Sequence, residues 1–272
     1  MIIIYCQYSF MKPVLFISLL FSTISYAHEP FLTAPISTTD NHRVLITAGY
    51  SEEALNSEIA LKDATFTITD PHQNVQTVQS NSTLKSASTF DLELPTEGTY
   101  KIQSVLSHQL QYTYFNDEWR TFFNITANKV TDMKDRTFVI PSDFTTAPKL
   151  TEVTREWTIK SYVSKQHSSP LKEESDSSIH VDFSTHPTDM KANEPIVLKT
   201  TYQGLPLTDA EITIRSLGQN DEQAKHFTSD KSGKLAFKFP HTGQYLISVS
   251  QKFNPKVKPT LQRYTLISLS IR

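Results

Sequence analysis

Glycine is scarce in this chain, cysteine is scarcer, and no apolar run is long enough to cross a bilayer. The 272 residues include six glycines and a single cysteine, Cys6. So few glycines leave little room for glycine-dependent catalytic motifs, and neither a phosphate-cradling loop nor a G-x-S-x-G elbow is present; H-E-x-x-H is missing as well. These absences point away from an enzyme. No basic cluster interleaved with aromatics occurs, which argues against a nucleic-acid partner, and no cationic amphipathic helix marks a membrane surface. Lys and Arg number 26 against 28 Asp and Glu, so the charge balance attracts no particular polyion.

The strongest apolar stretch, "VLFISLLF" at residues 14–21, falls far short of the roughly 20 apolar residues that a spanning helix needs. Met11-Lys12 supplies a basic start before it, and Ser25-Tyr26-Ala27 places small residues at both positions a signal peptidase inspects. The sequence therefore predicts a signal peptide over residues 1–27, with the true start at Met11, cleavage after Ala27 and a soluble product in a periplasm. Cys6 lies upstream of that cut, so the 245-residue mature chain has no thiol, no disulfide and no cysteine metal site. Lipid attachment would need a cysteine where His28 stands, so no membrane insertion or anchor is expected.

Short runs with period-two alternation or β-branched and aromatic enrichment fill the mature chain, from "RVLITAGY" and "ATFTITD" to "AEITIRSL" and "YLISVS", with Asn, Asp, Gly, Pro and Ser between them. The predicted fold class is all-β. Only "SEEALNSEIAL" near residue 55 lets one or two helical turns compete, with irregular apolar spacing. An internal repeat sets the organisation: "FDLELPTEGTYKI" at 90–102 and "LAFKFPHTGQYLI" at 235–247 share apolar, Pro, Gly and Tyr positions at a constant offset of 145. In Ig-like sandwiches a tyrosine just after a tight corner hydrogen-bonds back to the backbone, and Tyr100 and Tyr245 fit that role. Gly98 and Gly243 supply positive φ at the corner, while Pro95 and Pro240 end the preceding strand. Polar, serine-rich "SKQHSSPLKEESDSSIH" reads as a connection between the repeats. The expected layout is an N-terminal β-sandwich domain at 28–165, a linker at 166–177 and a C-terminal β-sandwich domain at 178–272. The aromatics of 112–123 flank Asn116-Asp117 and predict a β-hairpin.

Several of these segments together carry a family resemblance. His28 after the signal, the "EGTYKI" corner with its "YTYFNDEWRTFF" hairpin, and "STHPTDMKANEPIVLKTTYQGLPLTDAEITI" with "FTSDKSGKLAFKFPHTGQYLISV" resemble the periplasmic domain-of-unknown-function 4198 family over almost the whole mature chain. The second half is also similar to the carboxypeptidase-regulatory and collagen-adhesin-B type sandwiches, whose patterns are matched at 204–212 and 228–237 and specify fold only. The first resemblance implies a protein that accompanies nickel or cobalt uptake, with a metal transport system or an outer-membrane receptor as partner and with no agreed reaction. It also implies His28 and His186, of the His186-Pro187 pair, as metal ligands for Ni, Co or Cu.

The chemistry of a terminal histidine supports that implication independently. Its α-amine, with a pKa of about 7.7–8.0, and its ring Nδ1 can close a six-membered chelate on one metal, and imidazole nitrogen suits nickel, copper and zinc. The other amino-terminal copper and nickel motif is excluded, because the third mature residue is Pro30, which has no backbone N–H to offer. Further ligands must come from the fold, and the candidates are Glu29, His180, Asp182 and His186. "IHVDFSTH" puts His180 and Asp182 on one strand face with His186 just past its end. The remaining histidines, His42, His72, His108, His167, His226 and His241, are assigned structural or neutral roles, and the acid pairs Glu52-Glu53 and Glu173-Glu174 are assigned to solvated surface. Three functions from different classes are compatible with the sequence: a periplasmic metal-handling protein acting through His28, a metal-free envelope interaction or spacer module, and a histidine-brace copper oxidase.

Overall fold

The computed structural model describes residues 28–80, 84–171 and 178–272; the expected signal peptide, with Met11 and Cys6, and positions 172–177 of the expected linker lie outside them. Among the described residues the regular structure is all strand apart from four 3-10 turns. The first half contributes β1 (Glu29–Thr33), β2 (Thr38–Thr39), β3 (Arg43–Ser51), β4 (Thr65–Thr69), β5 (Val75–Gln79), β6 (Ser88–Glu93), β7 (Gly98–Phe115), β8 (Glu118–Phe122) and β9 (Thr151–Lys165). The second contributes β10 (Ile179–Phe183), β11 (Ile196–Tyr202), β12 (Leu205–Pro206), β13 (Glu211–Ser216), β14 (Lys225–Thr228), β15 (Lys234–Phe237), β16 (Gly243–Ser250) and β17 (Leu261–Ile271). The stretch around residue 55 forms no helix. Ala54, Leu55, Ala60 and Leu61 are buried one by one from an irregular loop, since their spacing makes no helical stripe.

The strands form two sandwiches built on one shared sheet. Its ten strands include the continuous order β5-β4-β7-β9-β17-β16-β13-β14, with β2 and β8 attached to β9 and β7. The order is a palindrome of equivalent strands, β9 matching β17, β7 matching β16, β4 matching β13 and β5 matching β14. At its centre β9 and β17 run parallel, paired from Thr154↔Leu261 to Ser161↔Ser268. A pseudo-two-fold axis along the strands explains both features, because such an axis keeps the central strands parallel while exchanging the two faces of the sheet. Side-chain burial follows this rule. Ile159 and Val163 of β9 enter the first core and Tyr162 enters the second, while Ile267 and Leu269 of β17 enter the second and Leu266 enters the first. The small sheet β1-β3-β6 therefore covers one face at one end, and the sheet of β10, β11, β12 and β15 covers the opposite face at the other end.

The repeat expected from the sequence is present as two matching corners. Gly98 and Gly243 have φ of 117° and 131°, values that L side chains rarely adopt. Tyr100 and Tyr245 are buried, and each hydroxyl donates to the carbonyl four residues earlier, Thr96 at 2.9 Å and His241 at 3.0 Å. Tyr100 also accepts from the Thr96 amide at 2.9 Å. Tyr100→Phe is therefore expected to be the costlier change, about 1.5–2 kcal/mol against about 1 kcal/mol for Tyr245→Phe, because it strands a donor as well as an acceptor. Urea denaturation of the two variants measures the difference, and equal losses would show that the accepted bond contributes nothing.

The hairpin is also present. Asn116 and Asp117 both adopt positive φ, 49° and 64°, which is the two-residue turn that matches strand twist. Beyond it, residues 123–150 run without a strand and fold back on the hairpin through Val139, whose amide donates to the Thr121 carbonyl at 2.9 Å.

Candidate functional site at the amino terminus

Antiparallel pairing of β1 with β3 sets Glu29 opposite Ser51, so His28 lies opposite Glu52 at the end of the small sheet. A tight approach brings in a second acid. Gly49 has no side chain, and a Cβ there would overlap Ser57 and the Ile59 carbonyl, so glycine lets residues 52–59 fold back over β3. The Glu58 and Ile59 amides then both donate to the Tyr50 carbonyl, at 3.0 and 3.2 Å. As a result His28 Nε2 stands 3.4 Å from Glu58 Oε2 and 3.8 Å from Glu52 Oε1, with the imidazole and the Glu52 side chain each 35% exposed. The other Glu58 oxygen accepts from the Glu52 amide at 3.1 Å, which fixes the two acids relative to each other. No three His, Cys, Asp or Glu side chains among the described residues form a ready-made metal-holding group.

The second sandwich braces this corner. Arg215 of β13 is 3% exposed and pairs with Glu29, the residue after His28, and through Nη1 with Asp221 at 2.8 Å. Burial pushes the Glu29 carboxyl above the usual range, against the opposing pull of the Arg215 guanidinium. The Ala54 amide donates to the Gln219 carbonyl and the Gly218 amide to the Ala54 carbonyl, both at 2.9 Å, so the loop bearing Glu52 and Glu58 is docked on a turn of the other half. Nearby, the Tyr50 hydroxyl and His108 Nε2 are 2.7 Å apart, and the His108 ring stands edge-on to Trp157. Burial raises the pKa of Tyr50.

The structure does not bring His186 to His28, so the expected pairing of these two ligands is corrected. His186 lies beside Thr99 and Ser169, at the end of β7 and β9 where Gly98 faces Lys165. Lys165 in turn binds the Leu94 carbonyl, and the Leu94 amide binds the His42 carbonyl, just before β3 begins. His28 sits beyond the far end of β3, on the order of 25 Å away at about 3.4 Å per strand residue. Both ring nitrogens of His186 are engaged, Nε2 with the Ser169 carbonyl at 3.0 Å and Nδ1 with Thr188 Oγ1 at 2.9 Å. Burial lowers its pKa, partly offset by Asp189, so the ring is a neutral hydrogen-bonding plug within a Thr99, Ser164, Thr188 network. His180 and Asp182 share the outer face of β10 as expected from their spacing, opposite Thr201 and Lys199 of β11 in the second sandwich. Glu29 is next to His28 in sequence but is committed to Arg215.

Glu52, Glu58 and Arg215 are the residues that sequence reasoning missed. Arg215 gave no signal, because it falls in phase with Glu211 and Thr213 on the polar side of the alternation. No signal marked Glu58 either.

Comparison with known proteins gives one firm match. The family described as "Domain of unknown function (DUF4198)" matches residues 25–252. No curated protein matches the sequence. Among solved structures, a two-domain fibronectin type-III segment of chicken tenascin aligns over 89% of this chain and 98% of its own, at 10% identity and a TM-score of 0.25. Red sea bream transglutaminase aligns over 90% of this chain and 31% of its own, at 10% identity and a TM-score of 0.22. At that level of similarity neither carries an argument about function.

Proposed function

The chain belongs to the DUF4198 family, and on that footing we propose that it is an exported, non-catalytic protein of the periplasm that binds a divalent transition metal (Ni, Co or Cu) through His28 and serves a metal transport system or outer-membrane receptor. The observation that carries this reading is the orientation of the imidazole. Its Nε2 lies within ion-pair range of Glu58 and Glu52, at 3.4 and 3.8 Å, which leaves Nδ1 for a metal shared with the α-amine. Carboxylates that hold the far nitrogen of a ligating histidine fix its tautomer and raise its basicity. The residues present therefore fit an amine and imidazole chelate supported by two acids. No helix among the described residues is long and apolar enough to cross a membrane.

The test blocks the amine as well as the ring. In chelator-competition titrations with Cu or Ni, an alanine inserted before His28 should weaken binding at least as much as His28→Ala, since the insertion turns the amine into an amide. Glu58→Gln should weaken it by roughly tenfold, the scale on which partners of a metal-bound histidine act. All three should melt like the parent without metal, because an exposed terminus and surface acid contribute little to stability. Unchanged affinity in every variant would favour the second reading, a rigid envelope spacer, which the continuous sheet joining the two sandwiches supports. The copper-oxidase alternative needs a second imidazole beside His28, and the ion-pair partners found there are carboxylates.

A further inference from the structure

A cavity of about 430 Å³ opens where the β7–β8 hairpin, residues 144–151 and the loop before β17 converge, well away from His28. Its volume is within the range of small-molecule sites, and such sites favour junctions between folding units. Tyr114 and Trp119, cross-strand neighbours on the hairpin, form one wall with ring centroids 5.6 Å apart and planes tilted by 58°. Phe144 forms part of the lining and stacks edge-on against Phe115 at 4.9 Å. Thr146 and Thr151 add hydroxyls, and Lys149 and Lys258 add charge. The cavity lining includes no carboxylate, although the chain as a whole has more acids than bases. The Lys258 ammonium lies over the Trp119 ring at 5.8 Å, and no ion pair with either lysine occurs among the described residues.

The cavity is also held in shape. The Trp119 amide donates to the Pro255 carbonyl at 2.6 Å, which ties the hairpin to the loop bearing Lys258. The 28 residues between β8 and β9 contain no strand, yet a buried Arg136–Asp143 pair fixes them. Ordered connections of that length without regular structure are usually functional.

We infer that this cavity binds a carboxylated ring, an acidic sugar or an aromatic acid, with the ring against Tyr114 and Trp119 and the carboxylate held by Lys149 and Lys258. Flat apolar faces stack on such aromatic walls, the threonine hydroxyls complement polar ring substituents, and two ammonium groups with no ion-pair partner among the described residues select against neutral analogues. The site is independent of the metal reading and stands whether or not His28 binds a metal.

The chain has two tryptophans, and Trp157 is buried at 8% exposure, so a ligand stacking in the cavity acts on the emission of Trp119. The mature protein is titrated with glucuronate and with benzoate, and with glucose and benzyl alcohol as neutral counterparts, by fluorescence and by calorimetry. At least one acid should give a saturable response, with its neutral counterpart at least tenfold weaker; glucuronate alone responding identifies the ligand as an acidic sugar, benzoate alone as an aromatic acid. Lys149→Met with Lys258→Met should weaken the responding acid at least tenfold, and Trp119→Phe should remove the fluorescence change, with both variants keeping the parent's circular dichroism. No saturable response to either acid by both methods would overturn the inference, and so would equal binding of the neutral compounds or by the double lysine variant.

Discussion

Replacing Arg215 with Ala should destabilise the protein by about 3 kcal/mol, at the lower end of the range for removing one partner of a buried ion pair. The guanidinium is 3% exposed, while Glu29 is 25% exposed, so some of the orphaned carboxylate's cost is relieved by water. The Nε proton of Arg215 has no partner, so the triad with Glu29 and Asp221 is not fully satisfied even in the parent. For that reason the double change Arg215→Met with Glu29→Gln should recover most of the loss, since the one charge it leaves behind, Asp221, is 47% exposed and solvated by water. Urea denaturation of Arg215→Ala, and of Arg215→Met and Glu29→Gln singly and together, closes the cycle. A single variant within 1 kcal/mol of the parent would mean that the shared sheet and the backbone bonds between Ala54 and the Gly218–Gln219 turn hold the two halves without the ion pair. Because Arg215 clamps the strand that begins with His28, the single change should also weaken metal binding at that terminus, whereas a purely structural role would leave the affinity of the folded protein unchanged.

Arg136→Ala should have a comparable effect that remains local. Arg136 and Asp143 side chains are 4% and 9% exposed and meet at 2.5 Å. The same guanidinium donates to the Phe138 carbonyl at 2.6 Å and the Thr131 carbonyl at 3.2 Å, and the second Asp143 oxygen accepts from the Ile140 amide at 2.8 Å. One side chain thus replaces the missing ladder of residues 123–150, and its removal should lower their opening free energy by about 3 kcal/mol. Hydrogen exchange at the Val139 and Phe123 amides, which bond across to Thr121 and Val139, reads this directly. Acid should mimic the change. Burial alone would raise the Asp143 pKa, but the Arg136 and Ile140 bonds outweigh it and hold the carboxyl below its usual value. A carboxyl with a depressed folded pKa contributes stability above its unfolded pKa and loses it as the pH falls through the folded value. Opening of the segment should therefore accelerate below about pH 4 in the parent and show no such step in Asp143→Asn. Unchanged exchange in Arg136→Ala would show that the aromatic contacts alone hold the segment.

The parts of this fold that were legible in the sequence are those set by neighbours along the chain. Proline, glycine and tyrosine at fixed spacing announced both corners, and Asn116-Asp117 between aromatic runs announced the hairpin. What stayed hidden depends on pairing between distant strands. Glu52 looked like solvated surface because its facing residue is set by the β1–β3 register, across a loop that contains β2. His186 looked like a partner for His28 because sequence does not say at which end of a sandwich a strand begins. The merger of the two sandwiches was equally hidden, since "EWTIKSYV" carries apolar residues that belong to both cores, Ile159 and Val163 to one and Tyr162 to the other. A strand covered on both faces was written there, but its second neighbour was not.

The central β9–β17 pair has a consequence for the order in which the molecule can be completed during synthesis. β17 follows β9 with the whole of β10 to β16 between them, and it supplies Leu266 to the first core as well as the parallel neighbour of β9. A chain whose β17 has not yet been synthesised therefore presents β9 as an open edge, with unpaired backbone groups along residues that later become interior. Non-local parallel pairing is slow to form, so this edge persists until β17 has been made and docked, and it is the natural docking line for a holding chaperone or for a misplaced strand of another copy.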